Sequence, residues 1–149
     1  MPFTFQQLSM PGLILIEARH FADDRGFFLE TYKQSAFVTH GIDLPFVQDN
    51  YSRSAHGVLR GLHYQEPPQA QAKLVRVLQG VIWDVAVDIR QGSPTYGHWV
   101  GVELSDAKGN QLFIPEGFLH GFVTRTADCM VAYKCSATYA PDSEGAIRF

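Results

Sequence analysis

The sequence has few cysteines, no excess of charge of one sign and no long apolar run, and each absence removes a class of protein. Two cysteines in 149 residues cannot frame a disulfide-stapled fold. Cys129 and Cys135 stand six apart in a segment that reads as one strand, on one face and roughly 20 Å apart at ~3.3 Å per residue. A disulfide needs Cα atoms within about 7 Å, so the two cannot bridge and a reducing compartment is expected. A net charge of -3 gives none of the basic field that nucleic acid requires, so an anionic ligand would have to meet a local cluster. No apolar stretch approaches the ~20 residues of a membrane span, and the opening MPFTFQQLSMPG has neither a basic n-region nor an apolar h-region. These readings predict a cytoplasmic chain with no membrane and no nucleic acid among its partners. Repeats, low-complexity tracts and linkers are missing as well. With 46% hydrophobic and only 18% charged residues, residues 1–149 are expected to bury one core as a single domain.

What is present is punctuation. Gly and Pro recur at short intervals along the whole length, the mark of an all-β domain. Ten strands are predicted: Leu13–Ile16, Phe27–Tyr32, Phe46–Ser52, Val58–Tyr64, Lys73–Gln79, Val81–Ile89, Trp99–Leu104, Gln111–Ile114, Gly121–Thr124 and Met130–Ser136. Turn chemistry separates them at Asp23–Gly26, Glu66–Pro68, Gly92–Pro94, Ala107–Asn110 and Pro115–Gly117. One convincing short helix is expected over Lys33–His40, closed by Gly41. Ten short strands with one or two short helices predict a β-sandwich or jelly roll. In Val81–Ile89, one face carries Val81, Trp83, Val85, Val87 and Ile89, while the other sets Asp84 and Asp88 beside Ile82 and Ala86. Two aspartates on such a strand need partners or water. They read as a structural hydrogen-bonding pair, with Asp84 also able to orient a histidine.

The block Gly57-Val-Leu-Arg60-Gly61-Leu-His63-Tyr64-Gln65, then Lys73 to Gly80, then Gly109-x5-Pro115-x-Gly117-x-x-His120, resembles the two motifs of the cupin superfamily. That resemblance implies a jelly-roll barrel, the double-stranded β-helix, whose members hold metal with two histidines, a glutamate and a third histidine. His63 and His120 match the first and last positions. Gln65 stands where the second histidine would be, and Lys73 where the glutamate would be. An ammonium repels a divalent cation and coordinates nothing while protonated, so a metal-free pocket doing organic chemistry is expected. A neutral imidazole at His63 suits a general base, and Lys73 suits an oxyanion. Together they describe proton abstraction next to a carbonyl. Lys73 alternates in phase with Val75 and Val77, which argues against a solvent-facing stripe. An acid must then return a proton, and Tyr133 shares a face with Cys129, Val131 and Cys135, an apolar set expected to point inward. His20, His40, His56 and His98 read as loop residues.

Arg25, Arg53, Arg60, Arg76 and Lys73 form a scattered positive set, and arginine grips phosphate well. Arg19 and Arg90 read instead as surface partners of acidic residues. Strict alternation puts Arg60 and His63 on opposite faces; a bulge at Gly61 would bring both into one pocket. The motifs alone point to an anionic carbonyl compound as substrate.

Several further blocks occur in order from about Gly12 to Phe149: Asp24-Arg25-Gly26-Phe27-Phe28-x-Glu30, Phe46-Val47-Gln48-Asp49-Asn50, Gln71-Ala72-Lys73-Leu74-Val75, Asp84 to Arg90, Ile114 to Phe122, and Tyr139-Ala-Pro-x-x-Glu144-Gly. With the Val58–Gln65 block, they resemble the dTDP-4-dehydrorhamnose 3,5-epimerase family. The resemblance implies epimerisation without a cofactor at C3 and C5 of dTDP-4-dehydro-6-deoxy-D-glucose, whose C4 ketone acidifies both neighbouring C–H groups. It makes His63 the base, Tyr133 the acid and Lys73 the partner of the enolate. Arg60 and His120 would bind substrate beside them. Arg25, Glu30, Gln48, Asp49, Asn50 and Glu144 would be further substrate contacts, and Tyr139 would stack on thymine. It also implies a homodimer exchanging N-terminal strands, in which Arg25 and Glu30 serve the neighbouring subunit. Family members run beyond Phe149 into a tail carrying the aspartate that pairs with the catalytic histidine, so either Asp84 or water is expected to orient His63, or the sequence is a shortened version of the working protein. Alternative readings are a C3-only epimerase or one acting on another nucleotide-linked 4-keto sugar, a cupin ketoisomerase, a sugar-nucleotide binding module, and a metal-dependent cupin oxygenase.

Overall fold

Two antiparallel sheets face each other in the structure, a computed structural model that describes residues 2–148. Phe149, the far end of the family resemblance, lies outside the described residues. Strands are numbered in chain order. From edge to edge, the six-stranded sheet holds β1 (Phe3–Gln7), β2 (Ile14–Ala18), β10 (Asn110–Ile114), β7 (Lys73–Gln79), β12 (Cys129–Cys135) and β5 (Gln48–Ser54). The five-stranded sheet holds β13 (Glu144–Ala146), β6 (Leu59–Gln65), β11 (Phe118–Thr124), β8 (Val81–Asp88) and β9 (Trp99–Ser105). A separate hairpin pairs β3 (Phe21–Asp23) with β4 (Gly26–Phe28). This is the expected cupin-type jelly roll, with one α-helix, α1 (Gln34–Thr39), and one 3-10 turn at Pro141–Ser143.

Alternation decides what each strand buries. In β8, Ile82, Asp84, Ala86 and Asp88 are buried while Val81, Trp83, Val85 and Val87 are half-buried, so the face with the two aspartates is the one that packs inward. Between the sheets it meets Val75 and Val77 of β7, Leu112 and Ile114 of β10, Phe118 and Phe122 of β11, and Cys129 and Val131 of β12. Each fully buried Leu or Ile in this layer contributes about 1.5–3 kcal/mol relative to exposure. A second apolar cluster lies on the outer face of the six-stranded sheet, where Phe37 of α1 packs edge-on to Phe3 at 5.3 Å and to Phe5 at 5.2 Å. Gly41 follows α1 at φ +91°, the left-handed conformation that closes a helix, as expected. Both cysteines are buried and unbridged on β12.

Several expectations need correction. Strands β1, β3 and β13 are additional to the ten expected. The segment Phe27–Tyr32 is strand only as far as Phe28, because β4 has only the short β3 to pair with and both strands of that hairpin are exposed. Within the chain, β1 bonds to β2, and β2 to β10. The element left uncovered is the β3–β4 hairpin, where Phe21, Phe27 and Phe28 stand in solvent. Among the described residues no helix is long and apolar enough to cross a membrane.

Candidate active site

Both inner faces contribute to one end of the barrel. On the five-stranded sheet, antiparallel pairing sets His63 of β6 directly opposite His120 of β11. The next pair in register is Arg60 with Phe122, so Gly121 faces both Gly61 and Leu62. This is the bulge that the Arg60-Gly61-Leu62-His63 spacing called for, and it turns both Arg60 and His63 into a cavity of about 520 Å³. The two strands nearly touch at that point. Gly61 has φ +121°, and a Cβ on it would lie 2.5 Å from Gly121 Cα and 2.7 Å from the His120 carbonyl oxygen, so only glycine fits. Arg60 Nε donates to Ser54 Oγ of β5 at 2.9 Å, tying the cavity rim across to the other sheet.

The six-stranded sheet supplies Lys73 at the start of β7 and Tyr133 in β12, and both line the same cavity as His63, Arg60, His120 and Glu144. Lys73 Nζ sits 5.8 Å from the centre of the Tyr133 ring. Burial pushes the Lys73 ammonium down from its ordinary value, opposed by the neighbouring Cys135, Asp84 and Glu144. Burial likewise pushes the Tyr133 phenol up, with Cys135 adding to the effect and Asn50 and Arg60 opposing it, so the phenol keeps its proton at neutral pH. The site grades with depth. His63, Arg60, Tyr139 and Glu144 are exposed at the mouth, Lys73 and Tyr133 are half-buried, and His120 and Asp84 form the buried floor.

A second lobe of about 400 Å³ adjoins the first and is lined by Gln48, Asn50, Gln71, Tyr139 and Glu144 together with His63, Lys73 and Tyr133. Gln48 Nε2 donates to Asn50 Oδ1 at 3.0 Å, while its Oε1 accepts the Tyr139 backbone N–H at 2.9 Å. The Tyr139 hydroxyl donates to Glu144 Oε2 at 2.8 Å, and that bond raises the phenol's pKa. Gln65 explains how this segment is held. Its amide donates to the carbonyls of Gln69 (2.6 Å) and Thr138 (3.2 Å) and accepts the Ala140 N–H (2.9 Å). The position of a cupin ligand is thus spent on backbone.

Some predicted residues lie elsewhere. Asp49 is on the opposite face of β5 from Gln48 and Asn50, where it pairs with Lys134 at 3.0 Å. Arg76 alternates out of phase with Lys73, Val75 and Val77 and lies in a groove on the outer face of the sheet. Arg53 pairs with Asp128 at 2.9 Å, and Arg25 with Asp23 in the exposed hairpin. Glu30 lines neither lobe. Arg19 stacks over Phe21, and Arg90 grips the buried Asp88 rather than a surface acid. Asp84 does not orient His63: its Oδ1 lies 2.7 Å from His120 Nε2. Residues that sequence reasoning passed over are Ser52 and Ser54, which alternate in phase with Gln48 and Asn50, and Gln71, which donates to the Ala137 carbonyl at 2.8 Å.

Residues 7–149 match the family model described as dTDP-4-dehydrorhamnose 3,5-epimerase. The chain belongs to that family, and it is an isomerase. The Pseudomonas aeruginosa dTDP-4-dehydrorhamnose 3,5-epimerase is 54% identical over 142 residues, 95% of this chain and 78% of the relative. The enzyme of the same name from Methanothermobacter thermautotrophicus is 49% identical over 145 residues, 97% of this chain and 78% of its own. A crystal structure of the Legionella pneumophila dTDP-6-deoxy-D-glucose-3,5-epimerase in complex with dTDP-4-keto-L-rhamnose superposes with a TM-score of 0.95 at 49% identity, covering 99% of this chain and 78% of that one. Likeness to these epimerases therefore runs through both sheets.

Proposed function

We propose that this epimerase acts on dTDP-4-dehydro-6-deoxy-D-glucose and inverts C3 and C5, with His63 as base and Tyr133 as acid. The observation that carries the reading is the placement of these two groups on opposing sheets of the barrel, lining one cavity with Lys73. A carbon held between them loses its proton toward one sheet and regains one from the other, which is what inversion requires; a single residue on one face would return the proton to the side it came from.

The His63 imidazole takes the proton next to the C4 ketone, the C–H electron pair becomes a C=C bond, and the carbonyl π pair moves onto O4. Lys73 donates to that oxyanion, and the half-buried setting strengthens the interaction. The pair on O4 then re-forms the carbonyl while the opposite carbon face takes the Tyr133 hydroxyl proton. The imidazolium and tyrosinate left behind return to their resting forms by exchanging one proton with water. Arg60, His120 and the Gln48, Asn50, Tyr139 and Glu144 lobe are read as the sugar-nucleotide contacts, with the exposed Tyr139 ring offering a stacking face for thymine. The keto-sugar complex of the Legionella relative supports the substrate class.

The test is NMR of the dTDP-4-keto sugar incubated with the chain in D2O. Deuterium at both C3 and C5 is expected. Deuterium at C3 alone would replace the reading with a C3 epimerase, and none at either carbon would leave a binding module. The same proposal makes the chain a homodimer joined through the exposed Phe21, Phe27 and Phe28 hairpin, a surface too apolar to stay bare. Arg25 and Glu30 would then reach the neighbouring subunit's cavity. Sedimentation velocity is expected to give a dimer that Phe27→Ser with Phe28→Ser converts to monomer; a monomeric wild type would overturn this part.

A further inference from the structure

The floor of the cavity contains a charge arrangement that the base-and-acid scheme leaves unused. Asp84 is fully buried and His120 is 6% exposed. They are diagonal neighbours on the inner face, since Asp84 pairs with Phe122 and His120 with Ala86 across β8 and β11. Asp84 Oδ1 lies 2.7 Å from His120 Nε2, while Asp84 Oδ2 is buried with no hydrogen-bond partner among the described residues. His120 Nδ1 makes no bond to a described residue either. It is absent from the buried unpartnered atoms and therefore opens onto the cavity that His120 lines with Lys73.

We propose that Asp84 is a positioning residue that holds a hydrogen on His120 Nδ1, so that His120 and Lys73 make a two-donor cradle for the oxyanion. Two arrangements leave the buried pair without net charge: a carboxylate against an imidazolium, and a carboxylic acid donating to a neutral imidazole. Both place hydrogen on Nδ1. The third, a carboxylate facing Nε2–H with Nδ1 bare, buries a net negative charge whose second oxygen has nothing to bond, which is the costly case. Lys73, on the facing sheet, attracts that charge across the cavity, but Asp84 makes no hydrogen bond to it, so in this arrangement the second oxygen stays unbonded and the carboxylate has no contact partner of opposite charge. Of the remaining charged or titratable groups on this cavity, His63 is the cross-strand neighbour of His120, Arg60 and Glu144 stand at the mouth and Tyr133 is on the facing sheet; none makes a hydrogen bond to Asp84 or to the His120 ring.

The consequence is that the oxyanion is met from both sheets: by Lys73 from β7, and from β11 by a ring whose plane and proton are fixed before substrate arrives. A histidine without Asp84 would rotate and exchange tautomers, presenting a lone pair to the oxyanion for part of the time. This inference rests on the epimerase reading for its oxyanion, but the protonation of His120 can be tested without it.

The experiment is long-range 1H–15N NMR of the imidazoles in the full chain without substrate, with His120 assigned by its loss in His120→Gln. A proton-bearing Nδ1 on His120 near neutral pH is expected. A bare Nδ1 beside a protonated Nε2 overturns the proposal, whatever the chain's activity. In the kinetic arm, Asp84→Ala should lower the rate of deuterium incorporation about a hundredfold, the loss expected for removing an oxyanion donor, with KM changed by less than about threefold because the ground-state contacts remain. The same spectrum of that variant should show His120 Nδ1 losing its fixed proton. A variant that exchanges deuterium at the wild-type rate overturns the proposal even with Nδ1 protonated. If the wild-type chain exchanges no deuterium, the epimerase reading fails, while the nitrogen spectrum still decides the Asp84–His120 pair.

Discussion

Asp84 and Asp88 share a strand, a face and complete burial, and they are used in opposite ways. Asp88 is saturated. Arg90 reaches it through Nε (3.1 Å) and Nη2 (3.0 Å), the Arg90 backbone N–H donates at 2.9 Å, and the Ser93 and Thr95 hydroxyls donate at 2.6 Å each. Asp84 has one contact, a histidine, and a bare second oxygen. A carboxylate satisfied on all sides rigidifies the 90–97 turn, whereas one satisfied on one side only has bonding capacity in reserve and a strong interest in where its neighbour's proton sits. Four residues along one strand separate a structural clamp from a component of the reaction floor.

That contrast can be broken experimentally. The largest effect is expected at Asp88: Asp88→Asn leaves the Arg90 guanidinium without its buried counter-charge and should cost about 3–5 kcal/mol in urea unfolding, with deuterium incorporation per folded molecule little changed. An unfolding loss no larger than that of an exposed acid would mean that the clamp is ornamental. The acid limb of stability is a smaller effect of the same group. Burial alone would raise the Asp88 pKa, but the Arg90 guanidinium, the two hydroxyls and the backbone N–H together hold it well below its ordinary 3.8. A carboxyl with a depressed folded-state pKa stabilises the native state fully above its unfolded value and loses that stabilisation as pH falls toward the folded one. Wild-type stability should therefore decline as pH drops below about 3.8, and Asp88→Asn should lack that portion of the decline. The smallest effect is expected at Asp84, where Asp84→Asn keeps an oxygen to accept from His120 Nε2 and leaves the pair without net charge. Its unfolding free energy should stay within about 1 kcal/mol of wild type, and a loss as large as that at Asp88 would show the two aspartates to be equivalent after all.

The chemistry-bearing residues were legible where period-two alternation and a motif agreed. Lys73 keeps step with Val75 and Val77, and Tyr133 with Val131 and Cys135, so their inward direction followed from the apolar company they keep. Arg60 and His63 needed a bulge, and Gly61 marked its place. Asp49 was misplaced for the reason Lys73 was not: it lies in a short motif whose neighbours Gln48 and Asn50 point the other way, and a family block names residues without naming faces. Arg76 fails by the same single-residue offset. Which histidine Asp84 would hold could not be read, since the choice depends on the diagonal offset between β8 and β11, a long-range register that leaves no trace in local spacing. Strands β1 and β13 are short edge strands, and their existence is settled by the partner they find rather than by their own pattern.

Gln65 has a bearing on how such a barrel changes trade. Its amide couples β6, two residues beyond His63, to the backbone at Thr138 and Ala140 that flanks Tyr139. The proposed base and the proposed nucleotide platform therefore shift together or not at all. Installing histidine at this position would do more than add a ligand; it would cut that strut and leave the 138–140 backbone held to the sheets by Gln48 alone. A histidine there would trade a backbone strut for one imidazole in a pocket that Lys73 also lines, and an ammonium still repels a divalent ion, so a single substitution does not turn this pocket into a metal site.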